Sequence, residues 1–217
     1  RWVLLLPLGL LVPLALARDR ALIVPLLLAG LVILGPVMGL QVPWAAFLPE
    51  SDTGNEVRVV SFNARGGEAL LRSPANLLAD WGADLVAFQE CGSAFASALR
   101  NIPGWHFDSS SRLCFLSRFE ILDVLEMDRE ALEFAGGAGV VVTYRIDLNG
   151  TPVHLTNLHL ETPRAGFELI RAGRLPAGIL KTREKSLLRG VELRQARIWS
   201  DRFQGPHIVV GDFNAPP

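Results

Sequence analysis

The chain has 217 residues, half of them hydrophobic, with two cysteines and a formal net charge of −1. That length admits one domain with a sizeable core plus a further segment, and the near-neutral charge excludes a strongly basic nucleic-acid binder or a disordered acidic chain. A mean hydropathy of +0.31 is high for a soluble protein, so the location of the apolar excess decides the class.

It lies at the front. Residues 2–17 carry no charge, Arg18, Asp19 and Arg20 follow, and residues 21–49 are again uncharged. The stretch 21–40, "ALIVPLLLAGLVILGPVMGL", has the roughly 20-residue length that a bilayer's hydrocarbon core requires. It is too long for a signal-peptide core, and its prolines are tolerated inside membranes. Residues 1–49 are therefore expected to form a membrane anchor of one or two transmembrane helices, at about 2–17 and 21–40. With both spanning, Arg18 and Arg20 mark a cytoplasmic loop, so all that follows is expected outside the cytoplasm. No acid or base lies between 21 and 49, which argues against a transporter.

Residues 50–56 read as a polar linker, and 57–217 as one α/β domain. "EVRVVSFN" (56–63) reads as a strand. "SPANLLADWG" (73–82) reads as a helix with Ser73 as N-cap and Pro74 in the first turn. "DLVAFQE" (84–90) is a second strand, "GSAFASALRNI" a helix, and "RLCFLSR" and "EILDVLEM" are strands. Two alternating runs joined at Asn149-Gly150 predict a hairpin. Thr162 and Pro163 can open a helix, "AGRLPAG" interrupts it, and a second helix is expected from about Ile179 to Phe203. Leu187, Leu188, Val191, Ile198 and Trp199 form its expected buried stripe. "HIVVGDFN" returns to the sheet. Hairpins mixed with helical crossovers indicate mixed sheets covered by helices.

From Glu50 onward 18 Lys and Arg face 21 Asp and Glu, so no overall basic charge points to nucleic acid. The basic excess between Arg164 and Arg202 reads as a solvated helix face, with a polyanion-binding surface as the alternative. Cys91 and Cys114 have no metal spacing; they are expected to be two buried free thiols, with pairing as the alternative outside the cytoplasm.

Polar groups recur where the strands end. Asn63 closes "VVSFN", Glu90 closes "LVAFQE", Asn157 and His159 lie two apart in "LTNLHLE", and Asp212 and Asn214 follow "HIVV". Residues two apart on a strand share a face, and open α/β sheets place their chemistry at such edges. Singly, each residue could cap a turn or fill a core. Four strands ending in side chains suited to a metal or a phosphate make a site.

With "VVSFNARG", "DLVAFQE", "LSRFEI", "LTNLHLET" and "GDFNAPP" in this order, the chain resembles the endonuclease/exonuclease/phosphatase superfamily, the deoxyribonuclease-I-like metal-dependent phosphoesterases. The resemblance implies a four-layer sandwich of two mixed β-sheets flanked by helices. It implies Glu90 as principal Mg²⁺ ligand (Mn²⁺ as alternative) with Asn63 beside it. It further implies that Asp212 and Asn214 position the attacking water and the phosphoryl oxygens, and that His159 bonds the phosphate or donates a proton. Tyr144 and Arg145 lie where the family often supplies a phosphate ligand, without a motif match. The family's closing Asp-His pair has no counterpart before Pro217, so the domain is expected to be incomplete at its C-terminus, and the 217 residues to lack their general base. The function implied is Mg²⁺-dependent hydrolysis of a phosphoester, whether nucleic acid, lipid headgroup or small phosphate ester; the alternative is a non-catalytic binding module on the same fold. No protein partner is implied.

Overall fold

The computed structural model describes residues 11–13, 21, 23–32, 56–67 and 73–214. The chain divides into two compact units, and the larger is Asn55–Asn214. In the other, helix α1 (Ile23–Val32) is ten residues of apolar sequence. Among the described residues no helix is long and apolar enough to cross a membrane; residues 2–10 and 14–17 of the first stretch, 22 and 33–40 of the second, and 50–55 of the linker lie outside the described residues.

The larger unit is built from two four-stranded sheets. In the first, β1 (Val59–Asn63), β2 (Leu85–Gln89), β3 (His106–Ser110) and β4 (Leu113–Ser117) run in the order β1-β2-β4-β3, with β1 and β2 parallel. In the second, β5 (Ile121–Glu126), β6 (Val140–Leu148), β7 (Thr151–His159) and β8 (His207–Asp212) run in chain order, with β7 and β8 parallel. The remaining neighbours are antiparallel, so both sheets are mixed.

Alternation along the strands separates three apolar layers. Leu85 and Ala87 of β2 face Val140, Val142, Tyr144, Ile146 and Leu155 in the core between the sheets. Val86 and Phe88 point the other way, onto Leu78 of helix α2 (Pro74–Trp81) and Phe95, Ala96 and Leu99 of helix α3 (Ser93–Leu99). Beyond the second sheet, Val141 and Leu158 pack on Leu132 of helix α4 (Glu130–Phe134) and Ala196 of helix α6 (Leu175–Ser200). Helix α5 (Arg164–Arg171) precedes α6. This is the expected four-layer α/β sandwich. Burial on both faces is why β2 is continuously apolar from Leu85 to Phe88.

Ser73 Oγ accepts from the backbone N–H of Asn76, as its N-cap position predicts. The expected Asn149-Gly150 turn joins β6 to β7, with both residues at positive φ. Strand β3 and helix α4 had no distinct sequence signal.

Three expectations are corrected. Cys91 and Cys114 form a disulfide: β2 pairs with β4 rather than with the strand that follows it, β3, bringing Phe88 opposite Cys114 and Cys91 within reach. Helix α6 starts at Leu175, not near Ile179, because Pro176 falls in its first turn, where the missing N–H costs nothing. Its buried stripe is also different. Leu187 and Ile198 are more than half exposed and Val191 is exposed, while Gly178, Glu192 and Ala196 are buried.

Candidate active site

The two parallel pairs end in the same way. Asn63 at the end of β1 lies opposite Gln89 of β2, and His159 at the end of β7 lies opposite Asp212 of β8. The sheets meet so that these C-terminal ends converge. Asn63 Nδ2 donates to Glu90 Oε1 at 3.0 Å and to Asp212 Oδ2 at 2.8 Å. His159 Nε2 stands 3.7 Å from Glu90 Oε1 and 3.9 Å from Asp212 Oδ2. Glu90, His159 and Asp212 each keep between a fifth and a third of their side chains open to solvent. Of the five expected site residues, Asn63, Glu90, His159 and Asp212 therefore form one cluster.

The fifth, Asn214, holds the cluster's loop. Its backbone N–H donates to Asp212 Oδ1 at 2.9 Å, closing an Asx-type turn in which Asn214 takes φ 47°. Its side-chain Nδ2 donates to the Leu160 carbonyl at 2.7 Å. Gly211 has φ 140°, and a Cβ there would run into the Leu158 carbonyl. This is the physical reason for a glycine before Asp212 in "GDFN".

Glu90 leaves β2 at φ 51°, a left-handed conformation that a glutamate adopts only where its surroundings enforce it. Three ties do so. Gly66 N–H donates to the Glu90 carbonyl at 2.7 Å, Cys91 N–H donates to the Arg112 carbonyl at 2.8 Å, and Cys91 is bonded to Cys114.

Beneath the cluster lies a polar link between the sheets that sequence reading missed. Gln89 Nε2 donates to Asn157 Oδ1 at 2.7 Å and to Ser61 Oγ at 3.1 Å, and Asn157 Nδ2 donates to the Phe88 carbonyl at 3.1 Å. Both amides are buried. The "QE" pair and the Asn157/His159 spacing were the available signals, but only the packing of two sheets shows the bond. Tyr144 lies in the inter-sheet core, stacked on Phe115 at 4.2 Å, and Arg145 is exposed opposite His154. Burial, with the Asp108 and Glu126 carboxylates adding, holds the Tyr144 phenol well above its usual range.

The donor set suits a hard divalent cation. Two carboxylates stand together, and Asn63 Oδ1, which accepts from Arg65 N–H at 3.0 Å, keeps a second lone pair. Among the described residues no group of three or more His, Cys, Asp or Glu is arranged as a metal cage. Mg²⁺ does not require one, since it takes one or two carboxylates and fills its shell with water and phosphate oxygens.

The model of the Endonuclease/Exonuclease/phosphatase family matches residues 60–217. No curated protein matches the sequence. Among solved structures, D. rerio TDP2 complexed with a single-strand DNA product superposes with a TM-score of 0.54 at 18% identity, covering 74% of this chain and 62% of that one. A structure of TDP2 from Caenorhabditis elegans gives 0.51 at 17% identity, covering 94% and 62%. A humanized D. rerio TDP2 gives 0.54 at 19% identity, covering 73% and 62%. The chain thus spans 62% of the length of each of these structures.

Proposed function

Because the chain belongs to the endonuclease/exonuclease/phosphatase family, we propose that it is a divalent-metal-dependent hydrolase of phosphoester bonds, anchored to a membrane with its catalytic domain outside the cytoplasm. The observation that carries this reading is the Asn63 carboxamide bridging Glu90 and Asp212 beside the His159 imidazole. A purely structural cluster gains nothing from holding two carboxylates together at an open edge.

Glu90, with Asn63 Oδ1 beside it, would hold Mg²⁺ or Mn²⁺. A bound cation of this kind neutralises phosphoryl oxygens and lowers the pKa of water. Asn63 keeps the two carboxylates in register through its paired N–H groups. Asp212, fixed by the Asn214 backbone N–H, orients the attacking water. His159 Nε2 donates to a phosphoryl oxygen as negative charge develops there, or passes its proton to the leaving group.

The membrane anchor rests on the uncharged stretches at 2–17 and 21–40. The Cys91–Cys114 bond supports an oxidising compartment and so agrees with a domain outside the cytoplasm. Candidate substrates are nucleic acid, lipid headgroups and small phosphate esters; the TDP2 neighbour holding a single-strand DNA product favours a nucleic-acid phosphodiester.

The test is Mg²⁺-dependent hydrolysis of bis(p-nitrophenyl) phosphate by the full-length protein and by its Glu90→Ala variant. Wild-type turnover that chelation abolishes, and a loss of about a hundredfold or more in the variant with the fold retained, are expected. Turnover within a few-fold of wild type would remove Glu90 from the site. For the compartment, a reporter active only outside the cytoplasm, fused after Asp52, should give signal.

A further inference from the structure

Helix α6 runs for 26 residues, and among its buried positions one is charged. Glu192 is 1% exposed, with both carboxylate oxygens used. Oε1 accepts from the Gly139 N–H at 2.8 Å, where β6 begins, and Oε2 accepts from the Glu161 N–H at 2.6 Å, just past the end of β7. A Cβ on Gly139 would lie 2.5 Å from the Glu192 carboxyl carbon, and one on Gly137 would lie 2.7 Å from Oε1. The glycines of "AGGAG" thus make room for this carboxylate.

One turn earlier on the same face, Arg189 Nη1 donates to the Asn214 carbonyl at 2.6 Å. A further turn back, Lys185 Nζ donates to the Gly136 carbonyl at 3.0 Å and to Glu161 Oε2 at 3.2 Å. The two anchor points are equivalent: Glu161 lies two residues past His159, and Asn214 two residues past Asp212. The strand exits are also tied to each other, since Leu160 N–H donates to the Asp212 carbonyl at 2.9 Å and Asn214 Nδ2 donates to the Leu160 carbonyl. Apolar packing alone would attach α6 to the sheet without burying a carboxylate, and a buried charge is costly unless its hydrogen bonds are made. One oxygen of Glu192 is spent on the backbone just past His159, and the other on Gly139, next to the residue that pairs with His159.

We propose that Glu192 and Arg189 are positioning residues, which hold the β7 and β8 exits so that His159 and Asp212 face Glu90 and Asn63. The inference rests on the hydrolase reading above. Glu192→Gln is the decisive variant, because its amide turns a donor toward one of two backbone N–H groups that both need an acceptor. It should lower kcat about ten- to a hundredfold with KM and Mg²⁺ affinity close to wild type, since Glu90 and Asn63 sit on the other sheet. In a His159→Ala background the same change should cost less than threefold. Independently of activity, the His159 ring and Asn214 side-chain resonances should shift in the NMR spectrum of Glu192→Gln, while those of Asn76, on helix α2, stay in place. Should Glu192→Gln fail to fold, Arg189→Lys, which removes the guanidinium reach but keeps the charge, serves with the same readouts. Losses that multiply with His159→Ala, or a fall in thermal stability with kcat and the His159 resonances unchanged, would overturn the proposal. Absence of wild-type hydrolysis would instead count against the hydrolase reading, and the resonance shifts would still decide whether α6 positions the site.

Discussion

Asn63 and Asp212 are separated by 149 positions in the chain and joined by a 2.8 Å hydrogen bond, from the carboxamide nitrogen of one to the carboxylate of the other. The bond links the last residue of β1 in one sheet to the last residue of β8 in the other. The same nitrogen holds Glu90, so one small side chain sets the spacing of the two acids on which the proposed chemistry depends.

Asn63→Ala leaves the two carboxylates without their shared donors. Hydrolysis should fall by about a hundredfold or more. Stability should fall by only about 1 kcal/mol, because the freed carboxylates are partly open to water. Steady-state kinetics and urea denaturation on one preparation separate the two effects, and a large stability loss with activity retained would assign Asn63 to the fold alone.

The Cys91–Cys114 bond closes a loop with a sequence separation of 23 and sits one residue beyond Glu90. Reduction, or the double change Cys91→Ser and Cys114→Ser, should cost about 3 kcal/mol. It should also lower activity beyond what the stability loss explains, because the left-handed turn at Glu90 loses one of its ties. Thermal melts with and without dithiothreitol check the first effect, and kinetics well below the melting temperature check the second. Equal kcat in the two redox states would separate the disulfide from the site.

How far the sequence carries follows from the kind of interaction involved. Every strand but β3, the Asn149-Gly150 hairpin and the polar side chains that close the strands were legible, because the two-residue period of a strand and its exit into a loop are local properties. Partnerships between distant segments were not. Cys91 and Cys114 meet only because β2 pairs with β4 across β3 in sequence, and Gln89 meets Asn157 only where two sheets pack. Helix α6 shows the limit most clearly. Apolar periodicity selects Leu187, Val191 and Ile198 as its inner face, yet the helix turns Glu192 inward because two backbone N–H groups there need an acceptor. Hydropathy alone carries no sign of that requirement.

Stability should depend on pH through two histidines under α6. Burial, with the Arg145 charge adding, lowers the pKa of His154 below its ordinary 6.5; burial, with the His154 charge adding, lowers that of His207. The unfolded chain therefore takes up these protons first as pH falls. Stability is complete above about pH 6.5 and declines as pH drops from there toward the folded-state values. Urea midpoints at pH 8 and pH 5.5 should differ in the wild type, and less so in His154→Phe, which keeps an aromatic ring against Phe203. An unchanged difference would show that other groups set the acid limb.

The central claim, that the strand ends at Asn63, Glu90, His159 and Asp212 form a metal-dependent phosphoester-hydrolysing centre, is tested most directly by locating a bound cation. Crystals soaked in Mn²⁺ and measured at its absorption edge should show one anomalous peak within coordinating distance of the Glu90 carboxylate, absent from Glu90→Ala crystals treated identically. A peak elsewhere on the domain, or an unchanged peak in the variant, would contradict the account.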